Sequence, residues 1–292
     1  MAILIGAHSR VICQGMTGHA ASYHTQRMLA YGTRMMAGVT PGKGGRRALD
    51  LPVFDTVRDA KAATGANATI IFVPPANAAR AMIEAIEAEM PLAVCVTERV
   101  PVLDMVRVRD ALQGSRTTLV GPNSQGILTP GAAQVGVMTT MNARPGGIGI
   151  ASRSASLTSE VVAQLTAAGL GQSTTVGVGG DPVHGIDLKG CLELFLADPD
   201  TKGIILIGEI GSTEEEEAAL LAARLKPTKP IVALVVGSHA PEERRMGHAG
   251  AFVGGGRGGT ATKIEALRNA GIHIAPNASL VGETMRRALA AR

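Results

Sequence analysis

Two doubly wound α/β domains, each a mainly parallel sheet with helices on both faces, are the fold that this sequence predicts. Three observations predict it. Short β-branched runs alternate with longer segments whose apolar residues recur at helical spacing, at the pace of strand–helix–strand units. That alternation lapses over an irregular stretch from Pro130 to Gly147, ending in Pro145-Gly146-Gly147, and then restarts. The 292 residues, 46% hydrophobic and 18% charged, supply core for two ordinary domains and argue against disorder.

In the first half, Val11–Gln14 reads as a strand, followed by Gly15, Gly18 and a helix to about Leu29. Met35–Val39 is a second strand and ends in the turn Thr40-Pro41-Gly42-Lys43-Gly44-Gly45. Thr56–Thr64 reads as a helix, Thr69–Val73 as a strand, and Ala76–Glu89 as a helix with Ala79, Met82, Ile83 and Ile86 at helical spacing. Leu92–Val96 is a buried strand, Pro101–Leu112 a helix opened by proline, and Thr118–Val120 a strand. In the second half, Ile148–Ala151, Gly203–Ile207, Ile231–Val236 and Ile272–Ala275 read as strands, and Ser156–Ala168, Glu214–Leu225, Ile264–Ala270 and Ser279–Ala290 as helices. The expected division is a first domain over 1–130, a hinge segment over 131–147 and a second domain over 148–292. Ligands of such sheets sit at the carboxyl ends of strands, so the loops there are where function is sought.

Composition narrows the classes. Aromatic residues make up 2% of the chain and Trp is absent, which argues against a binder of single-stranded nucleic acid by stacking. The formal charge of +4, from 28 basic and 24 acidic residues, favours an anionic ligand weakly, and no polybasic tail is present. Cys13, Cys95 and Cys191 lie far apart, with neither metal-ligand spacing nor a disulfide framework, so they are expected as buried apolar residues in a reduced compartment. The start, MAILIGAHSRVICQG, lacks the layout of a signal peptide, and no apolar stretch approaches the ~20 residues of a membrane span. The expectation is a cytoplasmic protein without nucleic-acid or membrane partners.

Several loops after strands are able to carry chemistry. Gln14-Gly15-Met16-Thr17-Gly18-His19 joins a strand to a helix, the setting in which backbone amides hold phosphate. Its G-x-x-G spacing is not the dinucleotide fingerprint, and no acidic residue stands where a ribose would need one; a plain tight turn is the alternative. Lys43, Arg46 and Arg47 place three positive charges on a neighbouring glycine turn, which is either a solvated basic turn or a site for several phosphates. His248, between Gly247 and Ala249, sits on a permissive loop, and Glu209 stands just after another strand as a carboxylate able to hold its ring. An ordinary surface histidine is the alternative. Ser152–Glu160 again opens a helix, and its Ser and Thr either cap that helix or help to bind a phosphoryl group. Gly179-Gly180-Asp181-Pro182 is a tight turn able to bring backbone close to that site. Glu214–Glu217 is expected as a solvated acidic helix start, Gly254-Gly255-Gly256 with Arg257 and Gly258-Gly259 as a mobile loop or else a phosphate site, and His19 and His24 as surface or helix residues.

These loops, taken in order, resemble the α subunit of the succinyl-CoA synthetase family of ADP- or GDP-forming acid–CoA ligases. The resemblance rests on ICQGMTG at 12–18, GVTPGKGG at 38–45, Thr97-Glu98, GPN at 121–123, SRS at 152–154, GGDP at 179–182, GEIG at 208–211 and RMGHAGA at 245–251. It covers essentially the whole chain. It implies a Rossmann-like CoA-binding domain followed by a flavodoxin-like domain with a phosphorylated histidine. His248 would be that histidine and Glu209 its orienting carboxylate. CoA contacts would fall on Thr17, Gly18, His19, Ala20, Lys43, Val96, Thr97 and Glu98, while Ser154 and Ala155 would offer helix-start amides to the phosphohistidine. ATP or GTP with Mg would be bound by an ATP-grasp β subunit, in a heterodimer or heterotetramer, and the acid substrate would be a small carboxylate.

The chain departs from the family's usual GPNCPG and SRSGTLTYE runs at Ser124, Gln125, Ala155, Ser156 and Ser159. These turns are expected to border the acid, so a roomier pocket richer in donors should favour an acid larger or more oxygenated than succinate. Malate, itaconate, citrate and sulfonated acids are the alternatives to succinate. An NAD-dependent dehydrogenase lacks its fingerprint here, and a CoA sensor would have no use for His248, Glu209 and the Ser154 turn together. ATP-citrate lyase and citryl-CoA synthetase share the motifs in longer or differently partnered chains.

Overall fold

The structure, a computed structural model, describes residues 2–241, 244, 246–253 and 258–291. Arg245 and the 254–257 glycine–arginine run, expected as a mobile loop, lie outside the described residues. The first of two seven-stranded sheets contains β1 (Arg10–Gln14), β2 (Arg34–Val39), β3 (Arg47–Ala48), β4 (Leu51–Phe54), β5 (Ala68–Ile71), β6 (Leu92–Cys95) and β7 (Thr118–Val120). They run in the spatial order β3-β4-β2-β1-β5-β6-β7, parallel except for the β3–β4 pair. Beyond the short β3 edge this is the Rossmann-type order, and it reverses between β1 and β5. Helices α1 (His19–Ala30), α2 (Val57–Thr64), α3 (Pro75–Glu87) and α4 (Val102–Leu112) complete this half.

Local chemistry sets these boundaries. Thr56 caps α2 by accepting from the Asp59 amide at 3.1 Å, and Gly65 ends it in the left-handed region. Pro75 opens α3, where a missing N–H is harmless, and Ala78, Met82, Ala85 and Ile86 turn inward. Strands β5 and β6 are buried throughout, as expected for parallel strands covered on both faces.

The second sheet contains β8 (Gly126–Thr129), β9 (Ala133–Gly136), β10 (Pro145–Ser152), β11 (Gln172–Gly177), β12 (Gly203–Glu209), β13 (Ile231–Val236) and β14 (His273–Ile274). Its order is β14-β13-β12-β10-β11-β8-β9. The parallel part has the flavodoxin-type order and reverses between β10 and β12, while β8 runs antiparallel to β11 and β9. Helices α5 (Ala155–Ala167), α6 (Leu188–Ala197), α7 (Glu214–Leu225), α8 (Thr260–Asn269) and α9 (Val281–Ala290) flank it.

Four features were not expected: the β3–β4 edge, the β8–β9 hairpin, β11 and α6. The hairpin falls on residues assigned by the sequence to the end of the first domain and the hinge, and it joins the second sheet. Strand β11 reads Gln-Ser-Thr-Thr-Val-Gly and is wholly buried, so polarity hid it: Ser173 Oγ meets Thr201 Oγ1 at 2.7 Å and Thr174 Oγ1 meets Thr129 Oγ1 at 3.1 Å. The sheets are joined by direct bonds. Ile186 N–H donates to Leu119 O at 2.7 Å, Gly185 N–H to Gly121 O at 2.9 Å, and Thr33 Oγ1 to Gln134 O at 2.8 Å. Among the described residues no helix is long and apolar enough to cross a membrane.

Candidate active site

His248 and Glu209 meet. The last residue of β12, Glu209, accepts a hydrogen bond on Oε2 from His248 Nδ1 at 2.8 Å. The imidazole is about one-third exposed. It does not stand free of walls, as its small sequence neighbours suggested, because Gly180 of the turn after β11 lies beneath it. A Cβ at Gly180 would stand 2.5 Å from His248 Cγ and Nδ1, so glycine is required there by the ring. The hydrogen bond to Glu209 raises the His248 imidazole above its ordinary value, against partial burial and the nearby Arg153 charge.

Behind this pair lies an ionic network that sequence reasoning did not assign. Arg153, just after β10 and 3% exposed, donates from Nε to Glu209 Oε1 at 3.0 Å and from Nη1 to Glu214 Oε1. Glu214 Oε1 also meets His184 Nε2 at 2.8 Å, and its Oε2 accepts from the Leu188 amide at 3.2 Å. Burial would raise the Glu214 carboxyl, but the His184 hydrogen bond and the Arg153 charge outweigh it and bring the value down to about 2. Glu215 accepts from the Glu209 amide at 2.9 Å and from fully buried Lys263 at 2.6 Å; burial pushes its carboxyl up. The expectation of a solvated acidic start to α7 is therefore corrected: Glu214 and Glu215 are buried. They face the carboxyl end of β12, where Arg153, His184 and Lys263 compensate them. Half-buried Glu216 shares Lys263 at 2.8 Å, whereas Glu217 is exposed. Asp181 accepts from Asn123 Nδ2 at 3.0 Å, and burial raises its carboxyl despite that bond.

Ser154 caps α5, its Oγ accepting from the Leu157 amide at 3.4 Å. Its own amide donates to Ser152 Oγ at 3.1 Å, which leaves Ala155 and Ser156, both exposed, at the helix start. Ser159 Oγ donates back to Ala155 O at 3.3 Å, so this hydroxyl serves its own helix. Ser124 is buried, its Oγ donating to Gly177 O and accepting from the Gly126 amide at 2.8 Å. Gln125 packs on Gly177, the last residue of β11, and its buried Nε2 has no partner among the described residues.

The first-domain residues gather at the carboxyl ends of β1, β2, β5 and β6. Lys43 Nζ donates to Thr17 Oγ1 at 3.0 Å, which ties the turn after β2 to the one after β1. Gly18, His19 and Ala20 are exposed at the start of α1, and among the described residues no side chain caps that start. Thr97 Oγ1 donates to Val73 O at 2.7 Å, tying the loops after β5 and β6 together, with Val96 half-buried and Glu98 exposed beside it. His24 stacks on Phe72 with ring centroids 5.5 Å apart, and burial lowers its imidazole. The three cysteines are unpaired and buried, and burial raises Cys13 and Cys95 to about 12 and Cys191 likewise upward.

The two doubly wound sheets, one with an amide-rich turn and the other with a carboxylate-held histidine, coincide with the two domain families of a class of CoA ligases. Residues 7–99 match the CoA-binding domain family and residues 151–273 the CoA-ligase family. Across 291 residues the chain is 48% identical to the succinate–CoA ligase [ADP-forming] subunit alpha of Aquifex aeolicus, covering 99% of this chain and 95% of that one. The subunit of the same name from Staphylococcus aureus is 46% identical over 98% of this chain and 94% of its own. The chain belongs to the family of succinate–CoA ligase alpha subunits. Among solved structures, ATP citrate lyase from Methanothrix soehngenii shares the fold with a TM-score of 0.90 at 23% identity, over 99% of this chain and 51% of that one. A dinucleotide-forming acetyl-coenzyme A synthetase from Ca. Korarchaeum cryptofilum shares it with a TM-score of 0.75 at 19% identity, over 94% and 60%.

Proposed function

We propose that this chain is the alpha subunit of an acid–CoA ligase that forms ADP or GDP and works through a phosphohistidine at His248. The observation that carries the reading is the 2.8 Å bond from His248 Nδ1 to Glu209 at the β10–β12 switch point. With its Nδ1–H held there, the neutral ring keeps the lone pair on Nε2. Nε2 attacks the terminal phosphorus of ATP or GTP, an N–P bond forms, and the bond to the departing nucleoside diphosphate breaks. Glu209 balances the positive ring. A carboxylate oxygen of the acid then takes the phosphoryl group and returns the electron pair to Nε2. The CoA thiolate attacks the acyl carbon of this acyl phosphate, giving the thioester and inorganic phosphate. Apart from the nucleophile, the protein supplies position and electrostatics.

CoA is assigned to Thr17–Ala20, Lys43 and Val96–Glu98, where uncapped amides and a lysine suit its phosphates. The nucleotide and its Mg are assigned to an ATP-grasp beta subunit, in a heterodimer or heterotetramer. The acid is succinate or a larger or more oxygenated relative, bordered by Gln125, Ala155 and Ser159. The change of sheet between Val120 and Gly126 favours a domain division there, ahead of the expected hinge over 131–147, and three buried, unpaired cysteines fit a reduced, cytoplasmic setting.

The test is phosphate transfer. Co-purified with its partner and given nucleotide labelled on the terminal phosphate, the chain should gain acid-labile, base-stable label that His248→Asn abolishes. Equal labelling of that variant would remove His248 from the mechanism, and full ligase turnover by the isolated chain would remove the partner.

A further inference from the structure

We propose that Arg153 is a positioning residue for His248, holding the Glu209 carboxylate in the one orientation that leaves the imidazole Nε2 free, a role that rests on the phosphohistidine reading above. Glu209 uses its two oxygens differently: Oε1 is taken by Arg153 Nε at 3.0 Å and Oε2 by His248 Nδ1 at 2.8 Å. Its backbone amide is fixed separately by Glu215, at 2.9 Å, so the freedom left to Glu209 lies in its side chain. Arg153 removes that freedom.

Arg153 is itself fixed from behind. Nη1 donates to Glu214, Glu214 meets His184, and the His184 carbonyl accepts from Arg109 of α4 at 3.3 Å. The chain of bonds therefore runs from the first domain to the phosphoryl-accepting ring. A guanidinium suits this place because its planar fork serves two carboxylates at once, which an ammonium at the end of a flexible stem does not. The loop bearing His248 also closes directly on Arg153, since a Cβ at Gly250 would lie 2.9 Å from Nη2.

A second role for Arg153, as a mere counter-charge, predicts a different outcome. Three charged groups bear on His248: Glu209 at the end of β12, Asp181 in the turn after β11, and Arg153 after β10. Glu209 and Asp181 raise the imidazole, Glu209 most through its hydrogen bond, whereas the Arg153 charge lowers it. Asp181 is itself faced by Asn123 and His184, and Arg153 by Glu214 and Glu215 of α7. If Arg153 positions Glu209, loosening it costs His248 its hydrogen bond and the ring titrates lower. If Arg153 only adds charge, the ring stays where it is or titrates higher.

The experiment is a pH titration of the full chain, labelled with ¹⁵N-histidine and followed by long-range ¹H–¹⁵N spectra, for the parent and Arg153→Lys. A downward shift of His248 with loss of its Nδ1–H tautomer is expected. In the co-purified complex, His248 phosphorylation should slow by at least about tenfold while CoA affinity is unchanged. No shift, or an upward one with the tautomer retained, overturns the proposal. Failure of the phosphohistidine reading shows separately, as a parent protein with the expected tautomer that takes no phosphate from nucleotide. Should Arg153→Lys not fold, Arg153→Met combined with Glu209→Gln removes guanidinium and carboxylate together and should lose no more rate than Glu209→Gln alone. Additive losses would overturn the proposal.

Discussion

Glu209→Gln should put the proton of His248 on the wrong nitrogen. The carboxylate faces two donors, Arg153 Nε–H at 3.0 Å and His248 Nδ1–H at 2.8 Å, and has an oxygen for each. Glutamine offers one oxygen and one NH₂. The guanidinium keeps its proton, so the amide oxygen goes to Arg153 and the NH₂ turns to His248. His248 Nδ1 must then accept, its proton moves to Nε2, and the lone pair needed for phosphoryl transfer is lost from the reactive side. A charge-assisted hydrogen bond is worth about 1.5–3 kcal/mol, which sets a loss between about tenfold and 150-fold. The analogous change in a serine-protease triad costs about 10⁴-fold, which marks the upper end where the tautomer switch is complete. Rapid-quench measurement of His248 labelling in the complex gives the rate, and long-range ¹H–¹⁵N spectra give the tautomer. A rate within about twofold of the parent, with Nδ1–H still populated, would refute the reasoning.

Lys43→Ala should raise the CoA dissociation constant several-fold, about 1 kcal/mol for a partly exposed lysine–phosphate contact, and leave His248 labelling unchanged; calorimetric titration checks it. Glu214 is held at about 2 against an ordinary value of 4.5, so its stabilisation is present above pH ~5 and is lost as pH falls through the folded value. That is on the order of 3 kcal/mol, and Glu214→Gln should unfold with a visibly flatter acid limb. Lys263→Met should leave Glu215 buried without its cation and lower stability by about 3–5 kcal/mol in urea unfolding, with much of it recovered when Glu215→Gln is added. Across succinate, malate, itaconate, citrate and sulfoacetate, Ser159→Tyr should move kcat/KM toward succinate; a parent already favouring succinate by about a hundredfold, with that ranking untouched, would make the substitution neutral.

The sequence carries most of the fold because local signals suffice for it. Thr118–Val120, Glu214–Leu225 and Ile231–Val236 fall on the observed elements residue for residue, and most other boundaries lie within a few positions. Elements escaped where local signals mislead. Strand β11 hides its burial under serine and threonine, and the β8–β9 hairpin runs into the 130–147 stretch that reads as irregular. His248 and Glu209 were legible as loop residues able to pair, with an ordinary surface histidine as the alternative, and the resemblance supplied the expected phosphorylation; the hydrogen bond between them gives the pair its geometry. CoA itself was never readable from glycine spacing, which indicates only that backbone amides are available.

Arg153, Glu214, His184 and Lys263 fall in another category, because each takes its meaning from a partner far along the chain. Arg153 lies 56 and 61 positions from the two carboxylates that it bridges. A run of four glutamates at a helix start has an adequate local explanation in the helix dipole, and that explanation conceals two buried members. Topology is what separates them. In a doubly wound sheet, the residues after the first and third strands converge across the switch point, so an arginine after one and a glutamate ending the other are neighbours whatever their separation in sequence. The helix that follows the glutamate returns its first turn to the same opening, which brings Glu214 and Glu215 into reach. Burial then makes the pairing obligatory, because a charge there without its partner would cost several kcal/mol. The setting of His248 and Glu209 thus follows from strand order together with the charges at three strand ends, and strand order is the property that no window of local sequence contains.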